Sequence, residues 1–306
     1  MGNIKKKAAK PVILITNDDG IMAPGIRHLI KLMQTLGEVL VVAPDRPQSG
    51  MGHAITISTP LRLDKVIIEG ENTEYSCSGT PVDCVKLAIC KILKRKPDLI
   101  VSGINHGSNA SINVIYSGTM SAAVEGSIEN IPSIGFSILD YHFDVDFTPA
   151  DNYILEITKK VLKQGVPAKT CLNVNVPLVK KIKGVKVCRQ AHAYWADDYD
   201  VRTDPHHKNY YWLTGEFIND DKGKDTDEWA LKNGYISVVP VQYDFTAHHE
   251  QAIIQTSTLQ LIAIVVNVLM IRQYLSKWKY DKTGKGVLLV TFVYIIAFFA
   301  KEYLLK

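Results

Sequence analysis

Five cysteines in 306 residues are few, odd in number and without a single CxxC pair. That pattern argues against a disulfide framework and against a thiolate zinc site. Cys77, Cys84, Cys90, Cys171 and Cys188 are expected to be buried, reduced thiols. Other signatures are missing too. There is no GxxxxGK[ST] phosphate loop, no GxGxxG after the first apolar run, and no GxSxG nucleophile elbow. These absences exclude a Walker-type NTPase and argue against a dinucleotide-dependent oxidoreductase and an elbow-type hydrolase. The net charge of +4 is small and dispersed, so no surface for a nucleic acid duplex is expected. Lys5, Lys6, Lys7 and Lys10 read as a solvated terminal tail. No apolar stretch precedes Val12, so no signal peptide is expected, and the sequence-level expectation is a cytoplasmic protein.

What is present is ordinary globular composition, 46% hydrophobic and 22% charged, with two alternating periods. Val12 to Thr16 is a continuous apolar run, as in a strand buried on both faces. Ile26, Leu29, Ile30, Met33 and Leu36 recur at helical spacing, with Pro24 before them and Gly37 just past the end. Val39 to Ala43 is a second buried strand. Thr80, Pro81 and Asp83 form the start of a helix predicted over 81–94. Leu99 to Val101 reads as a strand, Ser121 to Ile128 as a helix of small residues, and Ser133 to Ser137 as another strand. This alternation predicts an α/β fold with a Rossmann-like, doubly wound, mostly parallel sheet.

The texture changes from about residue 185. Residues 189–234 are polar and aromatic and lack helical period, which suggests an extended excursion or hairpin. Tyr235 to Val241 is again strand-like. The organisation expected is an α/β domain whose last part, 189–250, holds a β-rich arm, followed by a tail over 253–306. In that tail Leu259 to Ile271 and Gly286 to Ala300 are apolar, with Arg272, Lys277, Lys279, Lys282 and Lys285 between them. The pattern is a hydrophobic helical hairpin with a basic turn. Each stretch falls short of the roughly 20 residues that span a bilayer, although flanking residues extend both. Membrane contact through 253–306 and an added oligomerisation element both remain open, as does an unrelated sequence joined by a reading-frame or assembly fault.

In an open parallel sheet, ligands bind beyond the carboxyl ends of the strands. The first strand leads into Asn17, Asp18, Asp19 and Gly20. The second leads to Asp45 and then Ser49. The run ending at Val101 leads to Asn105, His106 and Asn109. Two adjacent carboxylates repel, and a hard divalent cation resolves the repulsion. Two carboxylates, a hydroxyl and an amide oxygen suit Mg²⁺ or Mn²⁺. Asp-Asp-Gly is also a common turn sequence, but three polar strand ends converging on one rim favour a site. Ser117-Gly118-Thr119 opens a helix and offers N–H groups, hydroxyls and the positive end of a dipole to an anion. A plain N-cap at Ser117 or Thr119 is the competing reading. His206-His207 and His248-His249 lie far from the rim segments and read as solvated or packing histidines.

Several motifs resemble the SurE (survival protein E) nucleotidases. They are Asn17-Asp18-Asp19-Gly20 with Ala23-Pro24-Gly25, and Val42-Ala43-Pro44-Asp45-Arg46 with Gln48-Ser49-Gly50. Further on come Ser78-Gly79-Thr80-Pro81 with Asp83-Cys84, Pro97 through Asn109, Tyr116-Ser117-Gly118-Thr119, Gly234-Tyr235-Ile236-Ser237 and Asp244-Phe245-Thr246. The resemblance covers residues 11–250. It implies one divalent cation per subunit, Mg²⁺ or Mn²⁺, held by Asp18, Asp19, Ser49 and Asn105. It implies a phosphate site of Asn17, Gly20, Asn109, Ser117, Gly118 and Thr119, with Asp18, Asp19 and Asn109 catalytic. Expected substrates are nucleoside 5′- and 3′-monophosphates and short polyphosphate. A homodimer or homotetramer through an exchanged arm is also implied. The tail over 253–306 departs from the family, whose members typically end soon after the segment matching Asp244 to Thr246.

The chemistry expected is hydrolysis of a phosphomonoester assisted by the cation, one aspartate taking the proton of the attacking water. A phosphorylated Ser49 is an alternative route. Two other classes remain: a non-enzymatic, receiver-like switch, and a membrane-tethered scaffold with a vestigial site. A receiver needs a phospho-accepting aspartate after Val101, where this chain has Ser102-Gly103-Ile104-Asn105.

Overall fold

The computed structural model describes residues 10–68, 73–142, 144–248 and, beyond these, 251, 266, 269 and 272. The chain divides into two units, 1–243 and 244–306. The hydrophobic hairpin predicted over 253–306 lies almost wholly outside the described residues, and among those described no helix is long and apolar enough to cross a membrane.

The first unit is a nine-stranded sheet with helices packed against it. Its leading strand β1 (Val12–Thr16) is apolar along its length because both faces are covered. Pro24 then sets the first turn of α1 (Pro24–Gln34), whose buried stripe Ile26, Leu29, Ile30, Leu32 and Met33 packs on the sheet. Strands β2 (Glu38–Pro44) and β5 (Leu99–His106) flank β1 on either side, both parallel to it. The chain therefore leaves β1 in one direction for β2 and returns on the other side as β5. That reversal opens a crevice at the carboxyl end of β1.

The remaining strands extend the sheet outward. Beyond β2 lie β4 (Thr73–Cys77) and β3 (Leu63–Val66). Beyond β5 lie β6 (Ser133–Ile138), β7 (Thr170–Val176), β11 (Ile236–Gln242) and β8 (Val185–Val187), giving the order β3-β4-β2-β1-β5-β6-β7-β11-β8. Only the β3–β4 and β7–β11 pairs are antiparallel. The mostly parallel α/β architecture expected from the sequence is the one observed.

Several boundaries differ from the sequence expectation. The predicted helix 81–94 is α2 (Pro81–Leu87) followed by a wider, π-type turn over Ala88–Ile92. Its start matches the prediction: the Thr80 hydroxyl accepts from the Asp83 N–H and the Asp83 carboxylate accepts from the Thr80 N–H. Strand β5 does not stop at Val101 but runs to His106, with an irregularity between Ser102 and Asn105. The polar residues Ser102 and Asn105 disguised that continuation, since they break the apolar run although Ser102 is fully buried. Helix α3 begins at Gly118, three residues before the predicted start, with Ser117 as N-cap. The residues Asp244 to Thr246 lie past the last strand, which ends at Gln242.

Helix α4 (Asp151–Gln164) and β7 complete the order. The polar, aromatic stretch is an antiparallel hairpin of β9 (Ala193–Thr203) and β10 (Asn209–Asn219), paired over all eleven positions. Both strands are exposed along most of their length. One element inside this stretch was not anticipated: α5 (Asp227–Lys232), capped by the Thr226 hydroxyl accepting from the Trp229 N–H. The cysteines are all free thiols, but Cys90 is exposed and so departs from the expectation of five buried ones.

Candidate metal and phosphate site at the carboxyl rim

The end of β1 turns sharply as soon as it leaves the sheet. The Asn17 amide donates to the Gly20 carbonyl at 2.8 Å, closing a tight loop around Asp18 and Asp19. Gly20 has a φ of +97°, a left-handed conformation that glycine adopts without strain. The loop is pinned to the end of β2 by the Ile21 N–H donating to the Pro44 carbonyl at 2.8 Å.

Asp18 points into the start of α3. Its Oδ1 accepts from the Thr119 hydroxyl, and it also accepts from the Thr119 N–H. Only glycine fits next in line: a Cβ on Gly118 would lie 2.7 Å from the Asp18 Cβ and 2.9 Å from its Oδ2. The positive end of α3 therefore faces a carboxylate at contact distance. Asp19 is less buried and turns toward β5, where its Oδ2 meets the His106 N–H at 3.5 Å. Burial and the neighbouring Asp19 charge push the Asp18 carboxyl up to about 6. Burial also raises Asp19, against the lowering effect of the His106 N–H. Burial drives both shifts, and for Asp18 the like charge of Asp19 adds to it.

The other predicted residues arrive from neighbouring strand ends. Ser49 sits on the loop after β2. That loop is tied down by the Gln48 N–H donating to the Asp18 carbonyl at 2.7 Å and the Gly52 N–H donating to the Tyr116 carbonyl at 3.2 Å. Asn105 ends β5, and its amide nitrogen donates to the carbonyls of His106 and Gly107 at 3.3 and 2.9 Å. Its carbonyl oxygen is left as the acceptor side of the group. Asn109 is buried in an amide network. Its N–H donates to Asn175 Oδ1, its carbonyl accepts from Asn173 Nδ2, and its own Nδ2 donates to Ser137 Oγ, each at 2.8 Å. One amide hydrogen of Asn109 remains beyond that to Ser137.

The predicted phosphate turn is partly occupied by its own chain. Ser117 Oγ accepts from the Met120 N–H at 3.0 Å, the N-cap that the sequence left as an alternative. Thr119 is committed to Asp18. Capping and anion-facing geometry thus coexist at one helix start. His206 and His207 are in the β9–β10 turn, and His248 pairs with Asp244 at 3.0 Å; His249 lies outside the described residues.

Among the described residues, no group of three or more His, Cys, Asp or Glu is gathered in a way that would hold a metal ion. A cation here must complete its shell with hydroxyl, amide and water oxygens, a set suited to a hard divalent ion. Two features fit one. Asn17 Oδ1 is fully buried and has no hydrogen-bond partner. Asp18 and Asp19 are held together at raised pKa, and among the described residues no salt bridge to either is present. A cavity of about 650 Å³ lies elsewhere, lined by Phe217, Glu228, Trp229 and Lys232 and by no rim residue. What marks the rim as a site is its donor chemistry.

Sequence reasoning missed the residues that hold the rim in place. Asp227 is one. Its buried carboxylate accepts from the Ser111 N–H at 2.8 Å, the Ala191 N–H at 2.9 Å and the Glu228 N–H at 2.8 Å, joining the loop after Asn109 to the root of the hairpin. Trp195 of β9 reinforces that joint, its Nε1 donating to Asn113 Oδ1 at 2.8 Å. Nothing in the local sequence marks these links, because both partners are distant along the chain.

The family profile described as Survival protein SurE matches residues 13–197. The chain is 65% identical over 246 residues to a 5′-nucleotidase SurE of Flavobacterium johnsoniae, covering 79% of this chain and 95% of that protein. A 5′-nucleotidase SurE of Bacteroides thetaiotaomicron is 49% identical over 245 residues, covering 79% and 94%. Among solved structures, a SurE protein from Aquifex aeolicus aligns with a TM-score of 0.68 at 42% identity, covering 78% of this chain and 96% of that one.

Proposed function

The chain belongs to the survival protein SurE family, and from that membership and the rim geometry we propose that it is a 5′-nucleotidase. The reaction is hydrolysis of a nucleoside 5′-monophosphate to nucleoside and phosphate. The finer parts of the reading are dependence on one Mg²⁺ or Mn²⁺ per subunit, action on 3′-monophosphates as well, and cleavage of short polyphosphate. The observation that carries it is the adjacent carboxylate pair, with Asp18 buried against the N-terminus of α3 and Asp19 turned toward β5.

The residues divide the work as follows. Asp18, Asp19, Ser49 and Asn105 would hold the cation, with Asn17 shaping the loop beneath it. When bound, a divalent cation supplies Lewis acidity at a phosphoryl oxygen and acidifies water. Asp19, the more open carboxylate, accepts the proton of the attacking water. Asn109, fixed by Ser137, Asn173 and Asn175, donates its remaining amide hydrogen to an equatorial phosphoryl oxygen. Gly118 keeps the helix start close enough for its N–H to do the same, and the α3 dipole favours the negative charge gathered there. Gly20 lets the loop turn away so that the substrate can approach.

The receiver-like alternative lacks its phospho-acceptor, since β5 ends in Gly103-Ile104-Asn105-His106. The exposed Tyr194, Tyr199, Tyr210, Tyr211, Trp212 and Leu213 of the hairpin support an arm that associates with a second copy. A cytoplasmic location is part of the proposal, and membrane contact through 253–306 is kept as a separate proposal.

The test is a panel of nucleoside 5′- and 3′-monophosphates and short polyphosphate, assayed on purified protein with and without chelator. Release of phosphate from the 5′-monophosphates, lost in chelator and restored by Mg²⁺ or Mn²⁺, is expected. No release from any nucleotide under any metal condition would sink the reading.

A further inference from the structure

Helix α3 carries a carboxylate where helices rarely keep one. Glu125 is 2% exposed, on a helix otherwise built from alanine, glycine, serine and other small or apolar residues. A buried carboxylate needs partners. It has two: Lys86 Nζ of α2 at 2.6 Å on Oε1 and His53 Nε2 at 3.0 Å on Oε2. Lys86 alone neutralises the charge, so charge balance does not require His53. Burial alone would raise the Glu125 carboxyl, but the hydrogen bond to His53 and the ion pair with Lys86 together outweigh it and hold the group below its ordinary range.

The place of His53 explains its presence. It lies four residues after Ser49, on the loop that follows β2. The far side of that loop is anchored to α2, where the Thr80 hydroxyl donates to the Ala54 carbonyl at 2.7 Å and the Thr56 hydroxyl donates to Asp83 at 2.6 Å. The near side is anchored to the Asp18 and Tyr116 carbonyls. Among the described residues, His53 makes the one side-chain hydrogen bond from this loop to α3. At its other end α3 touches Asp18 through Gly118 and Thr119. From Thr119 to Glu125 is six residues, about 9 Å of rigid helix. One helix therefore fixes both the loop that presents Asp18 and the loop that presents Ser49.

We propose that His53 is a positioning residue that latches the Ser49-bearing loop to α3 through the buried carboxylate of Glu125, and thereby sets the affinity of the rim for its divalent cation. This rests on the placement of Ser49 in the cation site. His53 touches neither substrate nor cation. It acts through the loop, as outer partners of metal ligands do.

The experiment is a Mn²⁺ titration of the full chain, following the electron paramagnetic resonance signal of free Mn²⁺, with thermal melting in chelator alongside. His53→Ala is expected to weaken Mn²⁺ binding about tenfold, near the lower end for an outer partner, with an unchanged Tm in chelator. His53→Gln presents an amide N–H to the same carboxylate and should recover most of the loss. Lys86→Met removes the other partner of Glu125 without touching the loop, so it should lower Tm and leave Mn²⁺ affinity in place. If His53→Ala binds Mn²⁺ like the parent while Ser49→Ala binds weakly, the latch is wrong and the ligand assignment stands. If Ser49→Ala also binds like the parent, the ligand assignment falls and takes the latch with it. If His53→Ala and Lys86→Met shift Tm and affinity alike, the effect is general packing and the latch is overturned.

Discussion

Replacing Asp18 by asparagine should stabilise the metal-free protein while removing its response to metal. The Asp18 carboxyl is raised from 3.8 to about 6 by burial and by Asp19. Between those two values the native state binds more protons than the unfolded chain, so stability falls as pH rises. The contribution is fully present below 3.8 and is lost once pH passes 6. A gap of about two pKa units corresponds to ~3 kcal/mol at pH 7.5. Asp18→Asn keeps the shape and the acceptor for the Thr119 hydroxyl but carries no charge. In chelator at pH 7.5 it should be more stable than the parent by about that amount, roughly 5–10 °C in Tm for a domain of this size. At pH 4.5 the difference between the two should shrink, since the parent is then largely protonated. A divalent cation at a hundred times its Kd should stabilise the parent by ~2.7 kcal/mol and the variant hardly at all. Melting curves of both proteins at two pH values, with chelator and with Mn²⁺, provide the comparison. An Asp18→Asn protein that is less stable than the parent in chelator at pH 7.5 would refute the reasoning, because the buried charge would then be satisfied without a cation.

Gly118→Ala puts a methyl group 2.7 Å from the Asp18 Cβ; the overlap should cost about 1–3 kcal/mol of stability and reduce kcat/KM on the order of 100-fold through displacement of the rim, measured by melting and steady-state kinetics. Asp227→Ala strands the N–H groups of Ser111, Ala191 and Glu228 and should lower stability by roughly 2–4 kcal/mol in urea unfolding; Asp227→Asn should lose less. Glu74→Ala leaves the Arg27 guanidinium without its partner at 2.8 Å, both being largely buried, and should cost ~3–5 kcal/mol with little change in Mn²⁺ affinity.

The central strands were legible in the sequence because they obey one rule without interference. Val12 to Thr16 and Val39 to Ala43 are buried on both faces, so their apolar runs are unbroken. Strand β5 was truncated in the reading for the opposite reason: the polar Ser102 and Asn105 break its apolar run. The hairpin was legible as extended because it has no helical period, but α5 was hidden in the same polar stretch, being only six residues long. The residues of the rim could be read because they lie at or just past strand ends or at a helix start. Their supports could not. The Glu125–His53 contact spans 72 residues and the Asp227–Ser111 contact 116, and no local pattern encodes a partner that far away. The turn at Ser117-Gly118-Thr119 shows a subtler gap. The sequence offered capping and anion binding as alternatives; the fold shows the Ser117 cap, with the Asp18 carboxylate set against the same helix start.

The account stands on the acidic pair at the end of β1 holding a divalent cation, and one measurement tests that directly. Parent and Asp19→Asn proteins are stripped with chelator and then titrated with Mn²⁺ while phosphate release from a nucleoside 5′-monophosphate is followed. Asp19→Asn retains the shape of the loop and changes only its charge. The parent should be inactive when stripped and regain full turnover on titration, whereas Asp19→Asn should stay close to inactive with its fold intact. Full turnover by the stripped parent, or by Asp19→Asn at the same Mn²⁺ concentration, would contradict the account.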